Sequence, residues 1–235
     1  GLVMFRGVPN FTTYLASPSN QMQAAAVRGM PVLLSFAMHK KWLNTYQPTF
    51  SRVLIDSGAY SELTGGAVVD LDRYVDFMEE WRDRADAIAG LDDNRGDWRR
   101  SLKNYERGGF PTFHDTDPDE LLPDLIQLAR ERGGWLGVGV LPPRQGKLKW
   151  LQRTLARIPD DIHVHGWALR LYRNEPRLDS VDSTNWWRDG LYIMVKPLTK
   201  HLTHAECCEI VVKRYQRERR KLRAPIQTDA QGSLL

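Results

Sequence analysis

Hydrophobic periodicity in this chain switches back and forth along its length. Short runs of strand character fall at 3–8 or 12–16, then at 32–37, 53–56, 87–91, 110–114, 135–140, 163–168 and 178–182. Between them lie stretches of helical character. In 72–84, Val75, Met78, Glu79 and Arg82 share a helical spacing; others run over 119–132 and 148–158. The second is entered through Asp117-Pro118 and closed by Gly133-Gly134, a helix start and stop. Strand, helix and strand in succession pack as βαβ units around a parallel sheet. About eight strands in a chain of 235 residues favour a compact (β/α)8 barrel, one domain over 1–212. An open doubly wound sheet is the alternative, but no G-x-G-x-x-G follows the first strand. Residues 213–235 read as a basic C-terminal helix and a fraying tail from Ala224 onward.

Charge and cysteine content narrow the class. No apolar run approaches the roughly 18 residues that span a bilayer, and no signal-peptide pattern opens the chain. No membrane partner is therefore expected. The two cysteines, Cys207 and Cys208, are neighbours, which suits no structural disulfide and points to a reducing, cytoplasmic setting. Nor do they complete a four-ligand zinc site, so neither a metal nor another cofactor is expected. The net charge is only +4, but the excess is local: residues 213–223 hold seven basic side chains against one acid. Lys213, Arg214 and Arg217 belong to that run, and Arg95, Arg99, Arg100 and Lys103 form a second cluster. Such patches suit a phosphate backbone. The alternative is a solvated helix face.

In a (β/α)8 barrel the chemistry gathers at the carboxyl ends of the strands. Those ends read Asp56-Ser57-Gly58, Asp92-Asp93, His114-Asp115, His165-Gly166-Trp167 and Asp182-Ser183-Thr184. Taken singly, an aspartate before Ser or Gly is a helix cap or a turn residue. Five polar strand ends on one rim point instead to a site. Two carboxylates on opposite strands can perform a double displacement, one attacking an anomeric carbon while the other moves protons. Trp186-Trp187 can wall such a pocket or pack a barrel helix.

Together these segments resemble the tRNA-guanine transglycosylases. IDSGAY (55–60) is similar to that family's Asp-Ser-Gly-Gly-aromatic motif, and VDSTNW (181–186) to its nucleophile segment. GLDD (90–93) falls where the family has a third aspartate. WLGVGVLPP (135–143) resembles its glycine-rich base-binding strand, and VHGWA (164–168) a later strand. Order and spacing agree over about 12–190. LASPSN, LIDSGAY and SVDSTNW are closest in flavour to the short phage and bacterial branch, which includes DNA 7-deazaguanine transglycosylases.

The resemblance implies cleavage of a nucleobase N-glycosidic bond through an aspartyl glycosyl-enzyme. By carry-over Asp182 attacks C1′, with Asp179 as a competitor, and Asp56 is the general acid/base. Asp92 reads a purine amidine edge, and His114, where the family often has glutamine, donates to a base carbonyl. Tyr60 stacks on the flipped base, the backbone of Gly139 and Val140 reads its edge, and His165 replaces a methionine-like residue. The family's cysteine-rich zinc region is absent, which turns the expected partner from tRNA to DNA. Arg95, Arg99, Arg100, Lys103, Lys213, Arg214 and Arg217 would hold its phosphates, with Arg144 on a loop over the mouth. The expected reaction is exchange for a free 7-deazapurine. The alternatives are hydrolytic excision of a modified base, as a phage-defence glycosylase would perform it, and a non-catalytic nucleic-acid-binding barrel.

Overall fold

A computed structural model of the chain describes residues 11–60, 66, 68–93, 95–141, 146–169, 175–194, 196, 198 and 200–222. Among them eight strands alternate with helices. The first half runs β1 (Thr12–Ala16), α1 (Gln21–Ala26), β2 (Pro31–Ser35), α2 (Leu43–Tyr46), β3 (Arg52–Asp56), α3 (Leu71–Trp81), β4 (Ala87–Ile88) and α4 (Trp98–Tyr105). The second runs β5 (Thr112–His114), α5 (Leu122–Glu131), β6 (Trp135–Gly139), α6 (Leu148–Leu155), β7 (His163–Trp167), β8 (Ser180–Ser183), α7 (Asn185–Met194) and α8 (His204–Leu222).

The hydrogen-bonded order is β4-β3-β2-β1-β8-β7-β6-β5, and every pairing is parallel. The outer strands then meet. Ala89 bridges Phe110 in parallel, with the Phe110 amide donating to Ile88 O at 2.9 Å and the Gly90 amide to Phe110 O at 2.8 Å. The sheet therefore closes on itself as a (β/α)8 barrel, the architecture that the alternating pattern predicts.

Three apolar clusters hold it. Two lie between the strands and the surrounding helices. The third, built on Tyr14, Leu33, Leu54 and Phe110, fills the barrel interior. In α3 the Asp70 side chain caps the first turn by accepting from the Arg73 amide, and Tyr74, Phe77, Met78 and Trp81 face the core at helical spacing.

Several boundaries differ from the sequence pattern. The first strand is 12–16; the alternative at 3–8 lies outside the described residues. β2 stops at Ser35 because Phe36–Met38 winds into a 3₁₀ turn. β4 keeps only two residues of the expected five. The last strand starts at Ser180 rather than 178, because Asp179 is a clamp at its foot. Asp179 Oδ2 accepts from the Val164 amide at 2.7 Å and pairs with Arg177 at 3.0 Å. This puts Asp179 at the amino end of β8, away from the rim that carries Asp182. The boundary placed after 212 falls inside one continuous helix, α8, whose Cys207, Cys208, Val211 and Val212 are buried. The expected tail from Ala224 lies outside the described residues. Among those residues no helix is long and apolar enough to cross a membrane.

Candidate active site

The carboxyl ends of all eight strands open into one cavity of about 490 Å³, within the usual range for a small-molecule site. Asp56, Asp92, His114, Gly139, Trp167 and Asp182 are among the residues that line it.

Asp56 ends β3, where the chain turns sharply. Gly58 has φ +79°, and a Cβ there would lie 2.5 Å from both Ala37 Cβ and Ser35 Oγ, so only glycine makes this turn. The turn aims the Ser57 and Gly58 amides at the Asp56 carboxyl. Burial, reinforced by the charge of Asp92 and Asp182, overrides those two bonds and raises its pKa to about 7. The turn and the acid are thus one structure, and Asp56 keeps its proton well above the pH at which an ordinary carboxyl group loses it.

Asp182, on β8, is buried to 8% exposure. Its Oδ1 accepts the Ala168 amide at 2.5 Å. Ala168 takes φ +52°, a left-handed backbone unusual for alanine, and this conformation directs its N–H at the carboxylate.

Half-buried Asp92 and buried His114 pair across the seam between β4 and β5. His114 Nε2 lies 3.1 Å from Asp92 Oδ2, and Nδ1 faces Asp117 Oδ2 at 3.7 Å. Asp117 also accepts the His114 amide at 2.7 Å. Burial opposes a charged ring, but hydrogen bonds to Asp117 and Asp92 and their charges outweigh it, raising the His114 pKa to about 10. The expectation that His114 donates to a base is therefore corrected. Both ring nitrogens are turned to carboxylates, and the imidazolium orients Asp92 instead. Gly139 makes room for it, since a Cβ there would meet His114 Cδ2 at 2.8 Å.

The other expected residues divide. Gly139 and Val140 line the cavity, and Tyr60 stands at its rim, 47% exposed. His165 does not line it; fully buried in the barrel interior, it lies against Tyr14 and Trp167 rather than in reach of a base. The tryptophan pair splits: Trp186 is buried with its indole N–H on Ala16 O at 3.1 Å, while Trp187 lines the mouth. Asp93 and Asp115 serve the frame, Asp93 by pairing with Arg100 at 3.3 Å, Asp115 with Lys147 at 2.8 Å. Arg95, Arg99, Arg100 and Lys103 are exposed on the β4–α4 loop and α4, with Arg99 also stacked over Trp98 at 4.2 Å. Lys213 and Arg214 are exposed; Arg144 and the Arg217 side chain lie outside the described residues. Sequence reasoning missed Asp117 and gave Trp167 only a place nearby. The clue to Asp117 was its position three residues after His114, across a tight turn.

Fold and site together define a (β/α)8-barrel protein with an acidic cavity at the carboxyl ends of its strands. No protein-family profile matches the chain, and no curated protein matches its sequence. Among solved structures, a mutant tryptophan synthase alpha-subunit from Pyrococcus furiosus is similar at 11% identity and a TM-score of 0.48. The match covers 86% of this chain and 97% of that one. A likeness this distant carries no argument, and the barrel rests on the strand pairings above.

Proposed function

We propose that the protein cleaves the N-glycosidic bond of a nucleobase in DNA through a glycosyl-enzyme on Asp182. The observation that carries this reading is the different surroundings of two carboxyl groups in one cavity. Burial raises the pKa of Asp56 to about 7, while Asp182 accepts a hydrogen bond from the Ala168 amide. A carboxyl that keeps its proton beside another fixed by a backbone donor supports an acid and a nucleophile.

In the first half-reaction the Asp182 carboxylate attacks C1′, the C1′–N bond breaks, and its electron pair leaves with the base. Asp56 supplies the proton that the departing base takes up. Asp56, now a carboxylate, takes a proton from the incoming nucleophile, which displaces Asp182 and returns the carboxylate. With a free 7-deazapurine the outcome is exchange; with water it is excision. Asp92, oriented by His114, accepts hydrogen bonds from the base edge, and Tyr60 offers a stacking face. Arg95, Arg99 and Lys103 suit the phosphates that flank the base.

The test is nucleoside mass spectrometry and alkaline cleavage of DNA incubated with the protein, with and without free 7-deazaguanine. Incorporation without strand breaks supports exchange, whereas alkali-labile sites without added base support excision. Base release that survives Asp182→Asn removes Asp182 from the mechanism. DNA binding with no base release by the unaltered protein leaves the non-catalytic reading standing.

A further inference from the structure

Beneath the cavity floor a file of polar side chains climbs the barrel interior. His163 and His165 share one face of β7, and Ser180 and Asp182 share one face of β8. Ser180 Oγ lies 2.9 Å from His163 Nε2 and 2.9 Å from His165 Nδ1. His165 is fully buried, and its Nε2 has no hydrogen-bond partner. Asp182 Oδ1 lies 3.7 Å from that nitrogen. Among the described residues Asp182 is the only carboxylate within 4.0 Å of this ring. Tyr14 of β1 stands edge-on to it at 5.9 Å, and Trp167 at 4.4 Å. Interiors of such barrels are ordinarily filled by branched apolar side chains. Here three polar residues that do not line the cavity end beneath a fourth that does.

We propose that His163, Ser180 and His165 form a positioning column for Asp182, a one-way hydrogen-bond chain that presents an N–H to Oδ1. The other oxygen, Oδ2, is left for the anomeric carbon. This rests on the assignment of Asp182 as nucleophile. The direction of the chain follows from counting hydrogens. A ring nitrogen that faces a carboxylate carries the hydrogen, so His165 Nε2–H points at Asp182. With the ring hydrogen on Nε2, Nδ1 is the acceptor, and the single Ser180 hydrogen goes to it. Ser180 Oγ in turn accepts from His163 Nε2–H. Burial above all, then the neighbouring His165 ring, Arg52 and Arg177, keeps the His163 pKa down at about 3. That ring therefore stays neutral and able to supply its one N–H. The gap of 3.7 Å is longer than a hydrogen bond, and a small swing of either side chain closes it as negative charge returns to Asp182.

Two amide variants separate positioning from packing. His165→Gln places an N–H near Nε2, within reach of Asp182. His165→Asn places one near Nδ1, within reach of Ser180 alone. With genomic DNA and free 7-deazaguanine as probes, His165→Asn should lower kcat by roughly tenfold to a hundredfold with KM little changed, as when an orienting partner is lost. His165→Gln should restore most of that loss. Equal behaviour of the two folded variants, beside an inactive Asp182→Asn, overturns the column but not the nucleophile. Full activity in Asp182→Asn overturns the nucleophile.

A readout independent of turnover is imidazole nitrogen NMR on the full chain. Both rings should appear as Nε2–H tautomers, and Asp182→Asn should shift the His165 signals. A Nδ1–H tautomer at His165, or signals indifferent to Asp182→Asn, overturns the column whatever the activity.

Discussion

His114 Nε2 lies 3.1 Å from Asp92 Oδ2 while its Nδ1 faces Asp117, so one buried cation serves two carboxylates. The folded protein holds this proton to about pH 10, against 6.5 for an unperturbed histidine. The sign follows: a raised pKa contributes stability that is whole below pH 6.5 and fades as the pH climbs through 10. His114→Gln should therefore cost about 3–5 kcal/mol at pH 6, the cost of stranding a buried charge, and clearly less at pH 10. Urea unfolding at the two pH values checks this, and an equal loss at both rejects the ion pair.

Asp56 gives the opposite stability outcome for its neutral variant. Its folded pKa of about 7 stands above the ordinary 3.8. Its favourable contribution is whole below pH 3.8 and lost as the pH rises to 7, above which the ionised carboxyl burdens the fold. Asp56→Asn should raise stability at pH 8, on the order of 2–4 kcal/mol, while abolishing base release. For the unaltered protein, kcat/KM should fall above pH 7 as the acid is lost. A rate flat to pH 9 would exclude Asp56 as the proton donor.

Adjacent tryptophans should separate cleanly. Trp186→Ala opens a hole in the core and removes a bond to Ala16 O, at a cost of about 3–5 kcal/mol. Trp187→Ala should leave the melting temperature nearly unchanged and raise KM for DNA. Melting curves and steady-state kinetics on the two variants are sufficient.

The basic face of α4 should show itself in salt. Arg99→Glu and Lys103→Glu are each expected to weaken DNA binding without regard to sequence. The slope of log affinity against log salt should become shallower by about one for each phosphate that the variant no longer engages. An unchanged slope in both variants removes α4 from the interface.

Much of the fold was legible because a barrel strand buried on both sides is a short apolar run that ends in polar residues at the rim. That pattern located the segments of all eight strands, and with them Asp56, Asp92 and Asp182. Depth along a strand is not written in this way. His163, His165 and Trp167 share one face by simple alternation, and nothing local says that only Trp167 reaches the cavity. Trp186 and Trp187 illustrate the same limit on a helix, where neighbours point about 100° apart and packing alone chooses the buried one. His114 was misjudged because its partners come from another strand and from a turn, so its charge depends on neighbours that spacing does not encode. Strand β4 was overestimated because its ladder ends at Ile88, and the residues that follow make only the isolated bridge of Ala89 to Phe110.

The closure between Ala89 and Phe110 is the barrel's narrowest clasp, a few backbone bonds beside a two-residue strand. Asp92 and His114 stand on opposite sides of it and fasten it from within the cavity. Under the proposed reaction, recognition and fastening would share the same atoms. A base bound by Asp92 would then tug on the hoop itself, and amide exchange at Gly90 and Phe110 would gauge whether the cavity is filled.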